Sequence, residues 1–160
     1  MIFVLQNIRS AWNVGSIFRT ADAVGAEIVC LGYTARPEGE YIKMIAKTAI
    51  GAEKTVSWKP ASTIQDVMNL YPKESGFVHH AIEINDTSVD LLVFLKNTHS
   101  IDLGKTVLWL GNEIGGVDQL ALEVCDHITH LPMIGLKESL NVANTATAIA
   151  YLFLQSSSKK

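Results

Sequence analysis

The chain has 160 residues, of which 48% are hydrophobic and 18% are charged, and its formal net charge at pH 7 is −3. This length and composition predict one globular domain with a substantial core. The slight negative charge argues against broad coating of nucleic acid, although it leaves room for a local basic patch.

No segment of the sequence suggests a membrane or an export signal. The longest apolar runs are far shorter than a membrane span, and the first ten residues lack a basic region and a cleavage site. Two cysteines, Cys30 and Cys125, sit in or beside apolar runs. We expect both to be reduced core thiols of a cytoplasmic protein.

The first 31 residues predict a β–α–β unit. Residues 2–5 form an apolar strand, a helix follows with Asn13 as its N-cap, Gly25 ends that helix, and EIVCL (27–31) forms a second buried strand. Two such strands joined by a helix are typical of a parallel sheet with a right-handed crossover.

The rest of the chain continues the alternation of strands and helices. In order, the pattern predicts a helix at 41–49, a brief strand at 55–58, a helix at 62–70 capped by Ser62 or Thr63, a strand at 76–84, a short helix or strand at 89–95, a strand at 106–110, a helix at 117–125, a strand at 127–131 and a helix at 139–154. The sequence therefore predicts the α/β class, a parallel sheet with flanking helices, with residues 1–155 as one domain and 156–160 as a frayed tail.

A first candidate motif lies on the first helix, with Asn13, Gly15 and Arg19 in the spacing N-x-G-x-x-x-R. Arg19 would point away from the core, within two turns of a helix N-terminus, where a guanidinium and free N–H groups suit an anion. The alternative is an ordinary surface arginine paired with Asp22.

A second motif, Gly111-Asn112-Glu113-x-x-Gly116, directly follows the buried strand TVLWL. Ligands of open α/β sheets bind beyond the carboxyl ends of the strands, and glycines allow close backbone approach. The motif is neither a phosphate loop nor GxGxxG, so a tight turn with a capping acid is the alternative.

A third run follows the last predicted strand. It begins LPMIG at Leu131 and continues through Glu138, Ser139 and Asn141 into the final helix. Ser139 alone would be explained as a helix N-cap. That explanation does not account for an acid, a hydroxyl and an amide converging at one junction.

Together these three runs resemble the SpoU (TrmH-like) branch of the SPOUT RNA methyltransferases. The second has the form LGNExxG and the third LPMxGxxESLNV, all three occur in the family's order, and the resemblance spans essentially the whole chain. Two departures stand out: Ile114 replaces a common glycine, and Asn144-Thr145 replace a small apolar pair. The first puts loop geometry in question and the second helix packing.

The resemblance implies a C-terminal deep trefoil knot that binds the methyl donor S-adenosylmethionine. The implied cofactor-binding residues are Leu110, Gly111, Asn112, Glu113, Met133, Ile134, Gly135, Ser139 and Leu140. No metal is implied, and the histidines at 79, 80, 99, 127 and 130 form no metal-ligand pattern.

The implied reaction is methyl transfer to a ribose 2′-hydroxyl of RNA. The implied catalytic residues are Arg19, Ser139, Asn13, Glu113 and Asn141. The family proposal makes the arginine the base, yet a guanidinium keeps its proton in proteins. We therefore expect Arg19 to position a phosphate and stabilise the alkoxide, whether or not it accepts the proton.

The expected partners are RNA and a second copy of the chain. RNA would be bound by Arg9, Arg19, Arg36, Lys43 and Lys47, although a solvated scatter of basic residues is the alternative. We favour transfer RNA over ribosomal RNA.

Family members pair through helices like the first and last ones here, and small residues at Ala143, Ala146 and Ala150 would allow close approach. Burial within one subunit explains these alanines equally well. A non-catalytic RNA-binding module with a residual cofactor pocket is the second functional hypothesis. A doubly wound oxidoreductase is disfavoured, because no GxGxxG follows the first strand.

Overall fold

A computed structural model describes residues 1–157 of the chain. The seven strands are β1 (Ile2–Gln6), β2 (Glu27–Leu31), β3 (Trp58–Ala61), β4 (Val78–Ile82), β5 (Val89–Asp90), β6 (Thr106–Leu110) and β7 (His127–His130). The six helices are α1 (Ala11–Val24), α2 (Ile42–Ala49), α3 (Ile64–Leu70), α4 (Leu91–Asn97), α5 (Gln119–Val124) and α6 (Val142–Ser157).

All seven strands belong to one sheet in the order β3-β2-β1-β6-β4-β7-β5. Every neighbouring pair is parallel, so the predicted parallel sheet is confirmed. The central strands are buried on both faces, as β1 and β6 show with five buried residues each. This burial explains their uninterrupted apolar sequences.

Helices cover both faces of the sheet. One core layer lies under α1, α2, α4 and α6 and includes Phe3, Phe18 and Phe153. The other lies under α3 and α5 and includes Val4 and Trp109. Phe3 and Val4 are consecutive residues of β1, so they point to opposite faces as the period of a strand requires.

The first helix begins earlier than the sequence predicted. Its N-cap is Ser10, whose hydroxyl accepts a hydrogen bond from the Asn13 N–H, so Asn13 lies inside the first turn. Gly25 ends the helix in the left-handed conformation, as expected. Gly15 packs against Ile45 and Thr48 of α2, and a Cβ there would collide with the Ile45 carbonyl. This motif glycine therefore serves the contact between the two helices.

The last helix begins later than predicted, at Val142 instead of residue 139. Asn141 caps it, because its side-chain oxygen accepts hydrogen bonds from the N–H groups of Ala143 and Asn144. Ser139 is therefore not the N-cap and stays in the preceding loop. The helix continues through Ser156 and Ser157, while the rest of the predicted tail, 158–160, lies outside the described residues.

Three other elements differ from the sequence prediction or resolve its alternatives. The strand expected at 55–58 forms at Trp58–Ala61 on the sheet edge, where Pro60 costs no ladder hydrogen bond. Thr63, not Ser62, caps α3 in a capping box with Asp66. The segment at 89–95, predicted as a short helix or a strand, contains both, because the two-residue strand β5 is followed directly by α4.

Candidate active site

A cavity of about 580 Å³ opens at the carboxyl ends of β4, β6 and β7, beside the start of α6. Its size falls within the range of small-molecule sites. The sheet is open and parallel, and this is the edge at which such sheets bind ligands. Four segments form its walls: residues 82–84, residues 110–114 with Gly116, residues 130, 131 and 133, and residues 138–142 with Thr145.

The loop after β6 folds back on itself to form one wall of the cavity. Asn112 and Gly116 pair through two backbone hydrogen bonds of 2.9 Å. The Asn112 side-chain oxygen accepts from the N–H groups of Ile114 and Gly115. Gly116 has a positive φ of 66°, and Gly111 has backbone where a Cβ would stand. The motif is therefore a tight loop whose glycines are required by its geometry.

Ile114, the departure in this motif, fits the loop without difficulty. It does not adopt a positive φ, and its side chain is 92% exposed. This position therefore does not require a glycine. Asn144 and Thr145, the second departure, continue α6 normally, and Thr145 contributes to the cavity wall.

Residues of all three sequence motifs meet in one hydrogen-bond network at the rim of the cavity. Asn13 donates from Nδ2 to Oε1 of Glu113 (3.1 Å) and accepts at Oδ1 from Nδ2 of Asn141 (3.1 Å). Glu113 also accepts from the backbone N–H groups of Ser10 (3.2 Å) and Arg9 (3.4 Å). The network fixes the start of α1, the β6 loop and the start of α6 relative to one another.

The environment of Glu113 keeps it ionised. Partial burial alone would raise its pKa, but hydrogen bonds from its own backbone N–H, from Asn13, and from the N–H groups of Ser10 and Arg9 together hold the pKa below its usual value. A carboxylate that accepts several N–H bonds is stabilised in its charged form. Glu113 is thus a permanent acceptor at neutral pH.

Glu83 is a cavity residue that the sequence analysis missed. It follows β4, and its Oε2 accepts from the Val117 N–H (2.7 Å), while Oε1 accepts from the N–H of Ile84 (2.9 Å). A Cβ on Gly116 would collide with this carboxylate. Glu83 therefore anchors the β6 loop from the side opposite Glu113. An acid directly after a buried strand was the available sequence signal.

Most of the predicted cofactor residues line the cavity, and two do not. Those in the wall are Leu110, Gly111, Asn112, Glu113, Met133, Ser139 and Leu140. Ile134 is 98% exposed, and neither it nor Gly135 belongs to the wall.

The cavity wall is acidic. It includes Glu83, Glu113 and Glu138, with His130 as the one basic residue type among the described lining residues. No lysine or arginine lies among them. Such a wall favours a ligand that carries positive charge.

Arg19 lies outside the cavity. It lines a separate surface groove of about 470 Å³, together with residues of α1, α2 and α6 such as Lys47 and Tyr151. As implied catalytic residues, Arg19, Glu113 and Ser139 were expected to lie around one site. Within one chain, the structure brings only Glu113 and Ser139 to the same cavity. Helix α6 connects the two sites, with Thr145 in the cavity and Thr147 in the groove.

The other basic residues are dispersed over this end of the molecule. The Arg9 guanidinium lies 5.4 Å from the ring centroid of Tyr33, and the Lys47 ammonium lies 5.3 Å from the Trp12 ring. Arg36 donates to the Gly32 carbonyl. Lys43 is exposed on α2.

Within residues 1–157, no helix has the length and apolarity needed to span a bilayer. Over the same residues, no three His, Cys, Asp or Glu side chains are grouped so as to hold a metal ion.

The fold and the site define a class of protein that comparison with known families identifies. The SpoU rRNA Methylase family model matches residues 1–151. The chain therefore belongs to the SpoU rRNA Methylase family.

One curated relative is the tRNA (guanosine(18)-2′-O)-methyltransferase of Escherichia coli (strain K12). It is 32% identical over 148 residues, which cover 92% of this chain and 59% of the relative. The chain thus spans about three fifths of the length of this relative.

Two solved structures share the fold. The SpoU methyltransferase AviRb from Streptomyces viridochromogenes, in complex with the cofactor AdoMet, superposes with a TM-score of 0.82 at 24% identity, over 97% of this chain and 59% of AviRb. A structure concerning the 2-OH methylation of C/U34 on tRNA has a TM-score of 0.82 at 18% identity, over 99% of this chain and 97% of that one.

Proposed function

We propose that the protein is an S-adenosylmethionine-dependent RNA methyltransferase that acts on a ribose 2′-hydroxyl. The observation that carries this proposal is the Glu113–Asn13–Asn141 network, because it joins residues of three family motifs at the rim of one cavity. The named activity of the Escherichia coli relative supports the same reaction.

The cavity suits the methyl donor in size and charge. Its wall combines backbone of tight loops with three carboxylates, and S-adenosylmethionine carries a positive sulfonium and a positive ammonium group. The residues that would hold it are the seven wall residues predicted from the sequence, with Glu83 added. When bound, it supplies an electrophilic methyl group.

The protein must supply the remaining chemistry at the acceptor oxygen. A 2′-hydroxyl becomes a good nucleophile only as its proton leaves or its developing charge is stabilised. We assign Arg19 to this charge and to an RNA phosphate, since guanidinium binds phosphate in a bidentate manner. Ser139, in the cavity wall, would assist at the same oxygen. Asn13, Glu113 and Asn141 would hold the loops in position.

We propose that the active unit is a homodimer in which Arg19 of one subunit reaches the cavity of the other. The groove around Arg19 lies on α1, α2 and α6, and exposed apolar residues adjoin it, with Ile50 66% and Tyr151 51% exposed. Such a face favours contact with another protein surface.

Mixing two inactive variants tests this arrangement. Arg19→Ala and Ser139→Ala, refolded together, should recover activity if each site uses residues of both subunits. If the mixture stays inactive and activity returns only when wild-type protein is added, the arrangement is contradicted. Analytical ultracentrifugation of each variant provides the control for assembly.

We also propose that residues 1–155 form a single methyltransferase domain whose C-terminal part is a deep trefoil knot. β7 lies between β4 and β5 in the sheet, although both precede it in sequence. Residues 83–88 join β4 to β5 and so cross the position of β7 between them, which supports a chain that threads past this connection after β7. An experimental electron-density map traced through residues 128–145 would test the threading.

Transfer RNA is the substrate class that we favour over ribosomal RNA. The named activity of the Escherichia coli relative supports this choice, whereas the family name refers to rRNA. The two free cysteines fit the reducing cytoplasm, where we place the activity. Mass spectrometry of nucleosides from separated tRNA and rRNA, with and without the gene, decides between the substrates. Loss of a 2′-O-methyl group from rRNA alone would contradict our choice.

A non-catalytic RNA-binding module is the second candidate. The intact network around Glu113 argues against a decayed pocket. Calorimetry with S-adenosylmethionine separates the two, because a module with no donor binding would show no heat of binding.

A further inference from the structure

An exposed aromatic ring stands beside the cavity, at the carboxyl end of β2. Tyr33 is 55% exposed, and the Arg9 guanidinium lies 5.4 Å from its ring centroid. Neither residue lines the cavity. The pair has no role in the chemistry described above, and an exposed ring next to a cation is a surface that stacks with unpaired bases.

The backbone around Tyr33 is held in a defined conformation. Its N–H donates to the side-chain oxygen of Asn7 (3.3 Å). Asn7 itself has a positive φ of 59°, which is uncommon for a residue other than glycine. Gly32, at φ 67°, lies so close that a Cβ would collide with the Asn7 amide. Unusual backbone of this kind persists where neighbouring contacts fix it, often at binding sites.

Two contacts connect the ring to the cavity wall. Asn112 donates from Nδ2 to the Tyr33 hydroxyl (3.3 Å), and its Oδ1 holds the N–H groups of Ile114 and Gly115 in the β6 loop. The Arg9 N–H donates to Glu113, a wall residue. The ring therefore contacts one wall residue, Asn112, directly and reaches a second, Glu113, through Arg9.

Charge at this position suits the RNA backbone. Arg9 lies over the ring, and Arg36 donates to the carbonyl of Gly32, directly before Tyr33 in sequence. One guanidinium therefore lies over the ring, and a second, paired with Glu38 at 3.9 Å, contacts the backbone beside it, in a chain whose net charge is −3. Phosphate contacts by arginine position a strand, and stacking on an aromatic ring holds a splayed base.

We propose that Tyr33 and Arg9 form a stacking site for an unpaired base of the acceptor RNA, next to the nucleotide that is methylated. The ring carries the base, and Arg9 binds an adjoining phosphate. This assignment rests on the proposed function, and it makes a single-stranded or looped RNA segment the substrate.

Substitutions at Tyr33 separate the ring from its hydroxyl. Tyr33→Leu removes the aromatic face, while Tyr33→Phe keeps it and loses only the contact with Asn112. Phe77→Leu is the matched control, because Phe77 also has a cation near its ring, with the Lys105 ammonium 4.1 Å from the ring centroid. Phe77 precedes β4 and so lies at the amino ends of the strands, away from the cavity. The probe is transfer RNA purified from cells that lack the gene.

We expect Tyr33→Leu to weaken RNA binding at least about fivefold, as loss of one stacked base does, while the Kd for S-adenosylmethionine stays unchanged. Tyr33→Phe and Phe77→Leu should bind RNA within about twofold of the wild type, well inside the effect of one lost stacked base. Arg9→Ala should lower the slope of log K against log salt by about 0.7, the value for one phosphate of a single strand.

Several results would overturn the assignment. One is full RNA affinity in Tyr33→Leu while the wild type methylates RNA, which leaves the proposed function intact. A second is an equal loss of donor affinity, and a third is a change of oligomeric state, which would assign the ring to a subunit contact. A wild-type protein that binds the donor but no RNA would refute this assignment and the proposed function together.

Discussion

Asn13 on the first helix accepts a 3.1 Å hydrogen bond from Asn141 at the start of the last helix, across 128 positions of the chain. The other end of the same amide donates to Glu113. The orientation of the Asn13 amide is therefore fixed, because its Nδ2 must face the Glu113 carboxylate and its Oδ1 must face the Asn141 N–H. Replacement of this side chain should disturb both neighbours.

Asn13→Asp keeps the acceptor for Asn141 but places a second carboxylate at hydrogen-bond distance from Glu113. We expect affinity for S-adenosylmethionine at neutral pH to fall at least about tenfold, because like charges this close are unfavourable. Part of the affinity should return near pH 5, as the pair takes up a proton. Calorimetry at both pH values measures this. Asn69→Asp on α3 is the exposed control, and wild-type affinity in Asn13→Asp would contradict the role of the network.

Glu83→Ala leaves the N–H of Val117 without its acceptor. Val117 is 5% exposed, and an unsatisfied buried donor costs about 1–3 kcal/mol, so we expect a lower free energy of unfolding. The affinity for S-adenosylmethionine should fall as well, because the β6 loop loses its anchor to the end of β4. Glu83→Gln retains an acceptor and should recover most of both. Urea unfolding with and without S-adenosylmethionine distinguishes the two effects; identical behaviour of the Ala and Gln variants would argue against anchoring by hydrogen bonds.

Arg19→Lys keeps the charge but loses the two-pronged geometry of the guanidinium. Because Arg19 lines the groove and is assigned to the RNA and its developing charge, the affinity for S-adenosylmethionine should be unchanged. We expect kcat to fall at least about tenfold, the effect of about 1.4 kcal/mol in the transition state. Single-turnover methylation under saturating RNA measures this loss. Near-wild-type kcat would refute a bidentate role for this arginine.

Stability should decline in acid because of His80. This residue is 4% exposed between Phe94, His127 and Phe153, and its Nδ1 has no hydrogen-bond partner among residues 1–157. Burial, with the neighbouring His127 charge, lowers its pKa to about 3. The unfolded chain therefore binds the proton more readily, and the folded state loses stability as pH falls from about 6.5 towards 3.

His80→Phe should remove this contribution, which is at most about 1.4 kcal/mol per pH unit. The slope should not vanish, because burial also lowers the pKa of His79. Urea denaturation at several pH values between about 5 and 7 gives the slope. The exposed His99, replaced by Gln, is the control, and an unchanged slope in His80→Phe would contradict the assignment.

The sequence predicted the sheet well because its signals were local. Strands such as EIVCL and TVLWL are apolar throughout, and parallel central strands need this pattern. Gly25 ended the first helix as expected. Apart from the edge strand β3, which begins three residues later than predicted, the errors were at helix starts, where several residues of similar chemistry compete. Ser10 and Asn13, or Ser139 and Asn141, are equivalent as N-caps by residue type. Ser10 and Asn141 are the caps, and the Asn13 side chain bonds to the distant Glu113 and Asn141 instead.

The site was predictable in part for the same reason. The β6 loop carries its own hydrogen bonds, so its motif predicted its geometry. Glu83 was missed because its partner, Val117, lies 34 positions away and no spacing rule links them. The place of Arg19 depends on how α1, α2 and α6 pack, and the resemblance alone gave no distance between it and the cavity.

The cavity walls come from the ends of three different strands, the segments that follow them and the first turn of α6, spread from position 82 to position 145. The cavity is therefore complete only when all of these wall segments have folded into position. Under the proposed function, donor occupancy is thus a readout of completed assembly, and saturation at a hundred times Kd would protect the folded form by about 2.7 kcal/mol. Metabolic supply of the methyl group would then govern the lifetime of the enzyme against proteolysis as well as its turnover.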